Sequence, residues 1–150
     1  MKKINKSYKG LQENIRKLKT PKIDTIENKY SDKEYVVTLE TAEFTCVCPK
    51  TGLPDFARVV LRYIPDKLCV ELKSFKLYLY GYRNVGIFHE HIANKVLDDF
   101  ISCCKPRWAQ IMCEFNVRGG IKTTLEREYI KNSKLNLPAG RQECKMQNYN

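Results

Sequence analysis

A chain of 150 residues and 17.6 kDa, 43% apolar and 29% charged, can bury one core and is too mixed for collagen-like, coiled-coil or wholly disordered structure. No apolar run approaches the ~20 residues that a bilayer-spanning helix needs. The basic start MKKINKSYKG has no apolar stretch behind it, so no secretory signal and a soluble, cytoplasmic protein are expected.

The net charge of +10 is confined to the ends: residues 1–22 carry eight Lys or Arg against one Glu, residues 131–150 four against one, and residues 23–130 fifteen of each sign. The expected organisation is a basic N-terminal arm (1–22), a single domain (23–130) and a basic C-terminal tail (131–150). Basic arms hold phosphate backbones by counterion release or serve as solubilising ends. The neutral middle lacks the interleaved basic and aromatic surface of a single-strand binder, so no direct nucleic-acid partner is required. Seven cysteines, at 46, 48, 69, 103, 104, 113 and 144, make an odd set without an export signal. They read as reduced thiols, with Cys69 and Cys113 as small core residues.

In chain order, the Val-, Thr- and aromatic-rich stretch from Tyr35 to Val47 predicts one or two strands. Cys48-Pro49-Lys50-Thr51-Gly52-Leu53-Pro54-Asp55 is dense in turn formers. Ala57 to Ile64 alternates, with Val59, Leu61 and Tyr63 on one face and Arg58 and Arg62 on the other, as in a half-buried strand. Pro65-Asp66 turns into Cys69-Val70-Glu71-Leu72. Ser74 to Tyr82 fits a helix, although its Leu-Tyr-Leu-Tyr run also fits a strand. From Phe88 to Cys104 the apolar residues Phe88, Ile92, Val96, Leu97, Phe100, Ile101 and Cys104 recur at helical spacing, ended by Pro106. Trp108 to Val117 alternates with Ile111, Cys113, Phe115 and Val117 inward, Gly119-Gly120 supplies a hairpin turn, and Ile121 to Tyr129 alternates again. The order strand pair, helix pair, strand pair predicts an α+β domain, an antiparallel four-stranded sheet with two helices on one face. Such a sheet has two edges open to another subunit, a problem that a closed ring would solve.

Among residues with chemistry, Cys48 ends a strand and opens an eight-residue loop. Lys50 beside it favours the thiolate, and Asp55 at the loop's end can face the sulfur. A small half-buried thiol and an ordinary turn aspartate are the alternative reading. Glu90, flanked by His89 and His91, suits either a helix dipole or paired N–H donors on a base edge. The pairs Cys46/Cys48 and His89/His91 leave a zinc site open, though neither spacing is a strong zinc signature. Lys73 and Lys76 share a helix face and suit either a phosphorylated ligand or solvent. No GxGxxG or GxxxxGK[ST] is present, so a nucleotide would not sit in a Rossmann or P-loop cradle.

Together these segments resemble the 7-cyano-7-deazaguanine (preQ0) reductases of the tunnelling-fold superfamily. The motifs are Phe44 to Phe56 around Cys48, Glu71-Leu72-Lys73-Ser74-Phe75-Lys76-Leu77-Tyr78, Tyr82-Arg83-Asn84 and Phe88-His89-Glu90, within residues 31–130. Leu53 stands where that family commonly has Gln, and Cys46 adds a second thiol. The resemblance implies an NADPH-dependent reduction of preQ0 to its aminomethyl product, preQ1, a step towards the tRNA nucleoside queuosine. Cys48 would form a covalent thioimide and Asp55 would donate a proton. Val70, Glu71, Leu72, His89 and Glu90 would hold the deazapurine, and Lys73, Ser74, Lys76 and Arg118 would meet NADPH. No metal is implied, and rings of identical subunits with sites between neighbours are. A zinc-dependent purine or pterin hydrolase on the same fold and an RNA-binding module are the alternatives.

Overall fold

Residues 20–131 are described in the structure, a computed structural model. Its elements are β1 (Thr25–Glu27), β2 (Val37–Val47), β3 (Pro54–Ile64), β4 (Leu68–Val70), α1 (Leu72–Tyr80), a 3-10 turn (Gly81–Asn84), α2 (His89–Cys104), β5 (Trp108–Arg118) and β6 (Ile121–Ile130). The four long strands form one antiparallel sheet in the order β2-β3-β5-β6, as the strand-pair, helix-pair, strand-pair reading expects. β1 and β4 make a separate two-stranded ribbon. β1 has three residues, too few for alternation to signal it, and it was not expected from the sequence.

The core lies between the sheet and both helices. Ala57, Val59, Leu61 and Tyr63 of β3 and Ala109, Ile111, Cys113 and Phe115 of β5 point to one face. Ile92, Val96, Leu97 and Phe100, one stripe of α2, close over them. Tyr63 meets Phe100 edge to face, with ring centroids 4.9 Å apart. The ambiguous Leu-Tyr-Leu-Tyr run is helical because Ser74, Phe75, Tyr78 and Leu79 reach the core at turn spacing and the Glu71 side chain caps the first turn. Deep in the helix pair, the Tyr78 hydroxyl meets that of Tyr82 at 2.8 Å and donates to Asp99 at 2.6 Å, and Lys95 donates to the same carboxylate oxygen at 2.5 Å. Burial pushes the Tyr82 hydroxyl up to about 12 and that of Tyr78 further, so both stay neutral links.

Lys105 ends α2 in the left-handed conformation, φ 47°, just before Pro106. Gly119 and Gly120, at φ 57° and 78°, form the two-residue hairpin turn whose twist matches the strands. Gly81 is required by close approach, since a Cβ there would come within 2.8 Å of Pro21 Cδ. The last residues of the basic arm therefore pack on the domain; the remainder of both arms, with Cys144, lies outside the described residues.

Two expectations need correction. Val117 was expected inward but is 61% exposed. The β5–β6 register shifts between Phe115 and Arg118, past the point where a helix covers the sheet, so alternation there no longer reports burial. Cys69 was expected in the core; it is half-buried in the short ribbon, 3.6 Å from the Tyr35 hydroxyl.

Leu97 is fully buried under the sheet. Leu97→Ala is expected to cost about 2–5 kcal/mol of stability by opening a cavity, measured as a lower urea midpoint at an unchanged m-value.

Candidate active site

β2 stops at Val47, and Cys48 opens a tight turn closed by Gly52 N–H to Cys48 O at 2.9 Å and Cys48 N–H to Leu53 O at 2.8 Å. Gly52, at φ 73°, permits the reversal. The segment after the 3-10 turn docks on the same strand end, with Val47 N–H to Val85 O at 3.0 Å and Ile87 N–H to Val47 O at 3.2 Å. Those bonds bring the first turn of α2, with His89 and Glu90, up to the cysteine loop. Partial burial raises the Cys48 thiol. Hydrogen bonds from the Thr51 hydroxyl and from the Thr51 and Lys50 N–H groups outweigh it, and the thiol lies below its ordinary range. Lys50 thus helps through its backbone N–H.

Asp55 lies opposite Cys46 in the β2–β3 register and is 3% exposed. A carboxylate so placed needs partners. His89 Nε2 stands 3.3 Å from Oδ2, and the Arg118 guanidinium contacts Oδ1. Arg118 also donates to the Pro54 carbonyl at 2.8 Å. The His89 ring is held flat on Phe115, 3.7 Å between centroids and 8° from parallel, which fixes the edge it presents to Asp55. The neighbouring thiols differ from Cys48: Cys46, chiefly by burial and then by the Asp55 charge, and Cys113, by burial, are both pushed up to about 12.

The remaining expected site residues stand elsewhere. Val70 donates its N–H to the Tyr63 hydroxyl at 3.3 Å. Tyr63 is eight positions along β3 from Asp55, roughly 25 Å at strand rise. Glu71 begins α1, taking Lys73 N–H at 2.9 Å and Ser74 N–H at 2.6 Å on its two carboxylate oxygens. Ser74 is buried, its hydroxyl accepting from Asp24 N–H and donating to Glu71 O, both at 2.8 Å. Leu72, Lys73 and Lys76 are exposed, Lys76 with its ammonium 5.4 Å over the Tyr80 ring. A cavity of about 480 Å³ lies here, between α1 and β2, lined by Leu39, Phe44, Leu72, Phe75, Lys76 and Leu79 among others; neither Cys48 nor Asp55 reaches it.

The fold therefore gathers Cys48, Asp55, His89 and Arg118 at one end of the sheet, with Glu90 beside them on α2. Val70, Glu71, Leu72, Lys73 and Ser74 are held at the other end. The sequence reading missed the contact of Arg118 with Asp55 and the His89–Phe115 stack. Both depend on the β3–β5 pairing and on α2 crossing it, which no local pattern displays. Among the described residues no group of three or more His, Cys, Asp or Glu side chains is placed to hold a metal ion.

With substoichiometric iodoacetamide near neutral pH, Cys48 is expected to alkylate first, with Cys46, Cys104 and Cys113 reacting only on unfolding; peptide mass mapping checks this. The two backbone bonds hold the Glu71 carboxyl below its usual range near 4.5. A carboxylate depressed in the folded state adds stability above its unfolded value and loses it as pH falls through the folded one. Glu71→Gln is thus expected to flatten part of the acid limb of stability below pH ~4.5, read by denaturant titrations at stepped pH.

A family model described as QueF-like protein matches residues 54–134. The chain is 54% identical over 110 residues to the NADPH-dependent 7-cyano-7-deazaguanine reductase of Syntrophus aciditrophicus (strain SB), covering 73% of this chain and 79% of that one. It is 49% identical over 112 residues to the protein of the same name from Chloroherpeton thalassium (strain ATCC 35110 / GB-78), covering 75% and 97%. The crystal structure of the archaeosine synthase QueF-Like in the apo form superposes with a TM-score of 0.58 at 25% identity, over 62% of this chain and 91% of that one. The family model and the curated relatives agree over most of the domain, and the chain belongs to the QueF-like family, to which its curated 7-cyano-7-deazaguanine reductase relatives point.

Proposed function

We propose that this chain is an NADPH-dependent nitrile reductase that converts 7-cyano-7-deazaguanine to 7-aminomethyl-7-deazaguanine in queuosine biosynthesis. The observation that carries this reading is an activated thiol, Cys48, at the same sheet end as a buried carboxylate, Asp55, in a family whose members bear that name. A nitrile carbon accepts hydride poorly, and thiolate addition converts it to a C=N unit that accepts hydride readily once protonated. The Cys48 sulfur bonds to the nitrile carbon as one C≡N π bond breaks. The thiol proton passes to the Asp55 carboxylate, which hands it to the freed electron pair on nitrogen, so the thiol proton ends on that nitrogen and nothing is yet oxidised or reduced. His89, pinned by Phe115, keeps Asp55 oriented through the transfer. Glu90, exposed on the first turn of α2, offers two acceptor oxygens to the paired N–H donors of the base.

The α1 surface fits a phosphate-bearing cofactor through side chains. The N–H groups of Lys73 and Ser74 are already taken by Glu71 and the Ser74 hydroxyl by Asp24 and Glu71, which leaves the exposed ammonium groups of Lys73 and Lys76. Ser74 thus acts by holding the start of α1, and Arg118 offers a further cation at the other sheet end. NADPH supplies the hydride, two molecules and two protons per nitrile reduced to the amine.

The separation of the two residue groups supports a homo-oligomeric ring in which the α1 start of one subunit meets the Cys48 end of another. The unpaired edges of β2 and β6 and the exposed Leu72, Leu77 and Tyr80 favour the same arrangement. Cytoplasmic location accords with free thiols that need a reducing compartment; among the described residues no helix is long and apolar enough to cross a membrane.

The test is intact-protein mass after mixing with 7-cyano-7-deazaguanine in the absence of NADPH. A gain equal to one nitrile, cleared on adding NADPH and missing from a folded Cys48→Ala variant, is expected. A folded wild-type chain without adduct would sink the proposal.

A further inference from the structure

We propose that Arg118 is the positioning residue of Asp55: its guanidinium, braced on the Pro54 carbonyl, neutralises and orients the carboxylate that serves Cys48. This rests on the nitrile-reductase reading and adds to it a role for Arg118 that is separate from any contact with NADPH.

The geometry carries it in three ways. Asp55 is 3% exposed, and among its side-chain oxygens Oδ1 accepts no aligned hydrogen bond, so the adjacent guanidinium is the positive charge that makes this oxygen's burial tolerable. Arg118 contacts two successive residues of β3, the Pro54 carbonyl at 2.8 Å and the Asp55 carboxylate, which makes it a brace from the last residue of β5 to the first turn out of the cysteine loop. Its charge also reaches the Cys46 thiol, lowering it against the stronger effects of burial and Asp55.

The titratable and charged groups around the carboxylate come from four places: Cys46 on β2, Cys48 with Lys50 in the loop, His89 on α2, and Arg118 at the end of β5. Asp55 opposes ionisation of the Cys48 thiol. The guanidinium on Oδ1 offsets part of that charge. Without it the thiol faces an uncompensated negative charge, and the carboxylate loses the contact that aims it.

The test uses the full-length protein and two readouts that need no NADPH. The first is the pH midpoint of Cys48 alkylation by iodoacetamide, followed by peptide mass. The second is the rate of adduct formation with 7-cyano-7-deazaguanine. Arg118→Ala is expected to move the alkylation midpoint to higher pH, and Asp55→Asn in the same chain to return it. Arg118→Ala should also slow adduct formation by at least ~10-fold, the order expected of a misplaced reacting group. Arg118→Lys, which keeps the cation without the fork, should restore the midpoint and only part of the rate. A role confined to NADPH would raise the KM for NADPH and leave both readouts untouched. Either an unchanged midpoint or an adduct rate equal to wild type overturns the assignment. If the wild-type chain itself forms no adduct, the nitrile-reductase reading falls, and the alkylation midpoint alone decides whether Arg118 governs Asp55.

Discussion

The site depends on a carboxylate placed where water cannot solvate it. Asp55 occupies an inward position of β3, in line with Ala57, Val59, Leu61 and Tyr63, on the face that makes the core. A charge there is tolerable only if the fold brings partners to it. Two elements distant in sequence supply them: α2 delivers His89 and the end of β5 delivers Arg118, while Phe115, also on β5, holds the imidazole flat. The strand-end bonds between Val47 and the 85–87 segment have a clear purpose in this light, since they bring α2 to start beside the cysteine loop.

The contrast among the thiols follows from the same layout. Cys46 and Cys113 are inward-facing strand residues without donors, and burial keeps them protonated. Cys48, one step beyond the end of its strand, lies in a turn whose N–H groups and hydroxyl converge on sulfur. Reactivity is therefore set by the point at which the strand gives way to the turn. A shift of one residue would place the thiol on the opposite face of the sheet.

The two ends of the sheet differ in character. The Cys48 end gathers a lowered thiol and a buried carboxylate paired with His89 and Arg118. The α1 end presents exposed lysines beside a capped helix start and an apolar cavity, surfaces suited to binding a large ligand or a neighbouring subunit. Within the chain they are roughly a strand length apart, which is the observation behind the proposed ring of subunits.

Local chemistry in the sequence was enough to determine the element order, the hairpin at Gly119-Gly120, the helix from His89 and the identity of the cysteine loop, because each rests on periodicity, turn residues or a contiguous motif. The α1 run was ambiguous until Phe75, Tyr78 and Leu79 had a core to face. The β1–β4 ribbon was too short to show any period, and Val117 followed the alternation of its strand beyond the part a helix covers. The pairing of Arg118 with Asp55, the Phe115 support of His89 and the separation of the α1 residues from Cys48 were decided by the tertiary structure alone. The two contacts join positions 63 and 26 residues apart, and only the strand register and the crossing of α2 over the sheet determine which of those side chains meet.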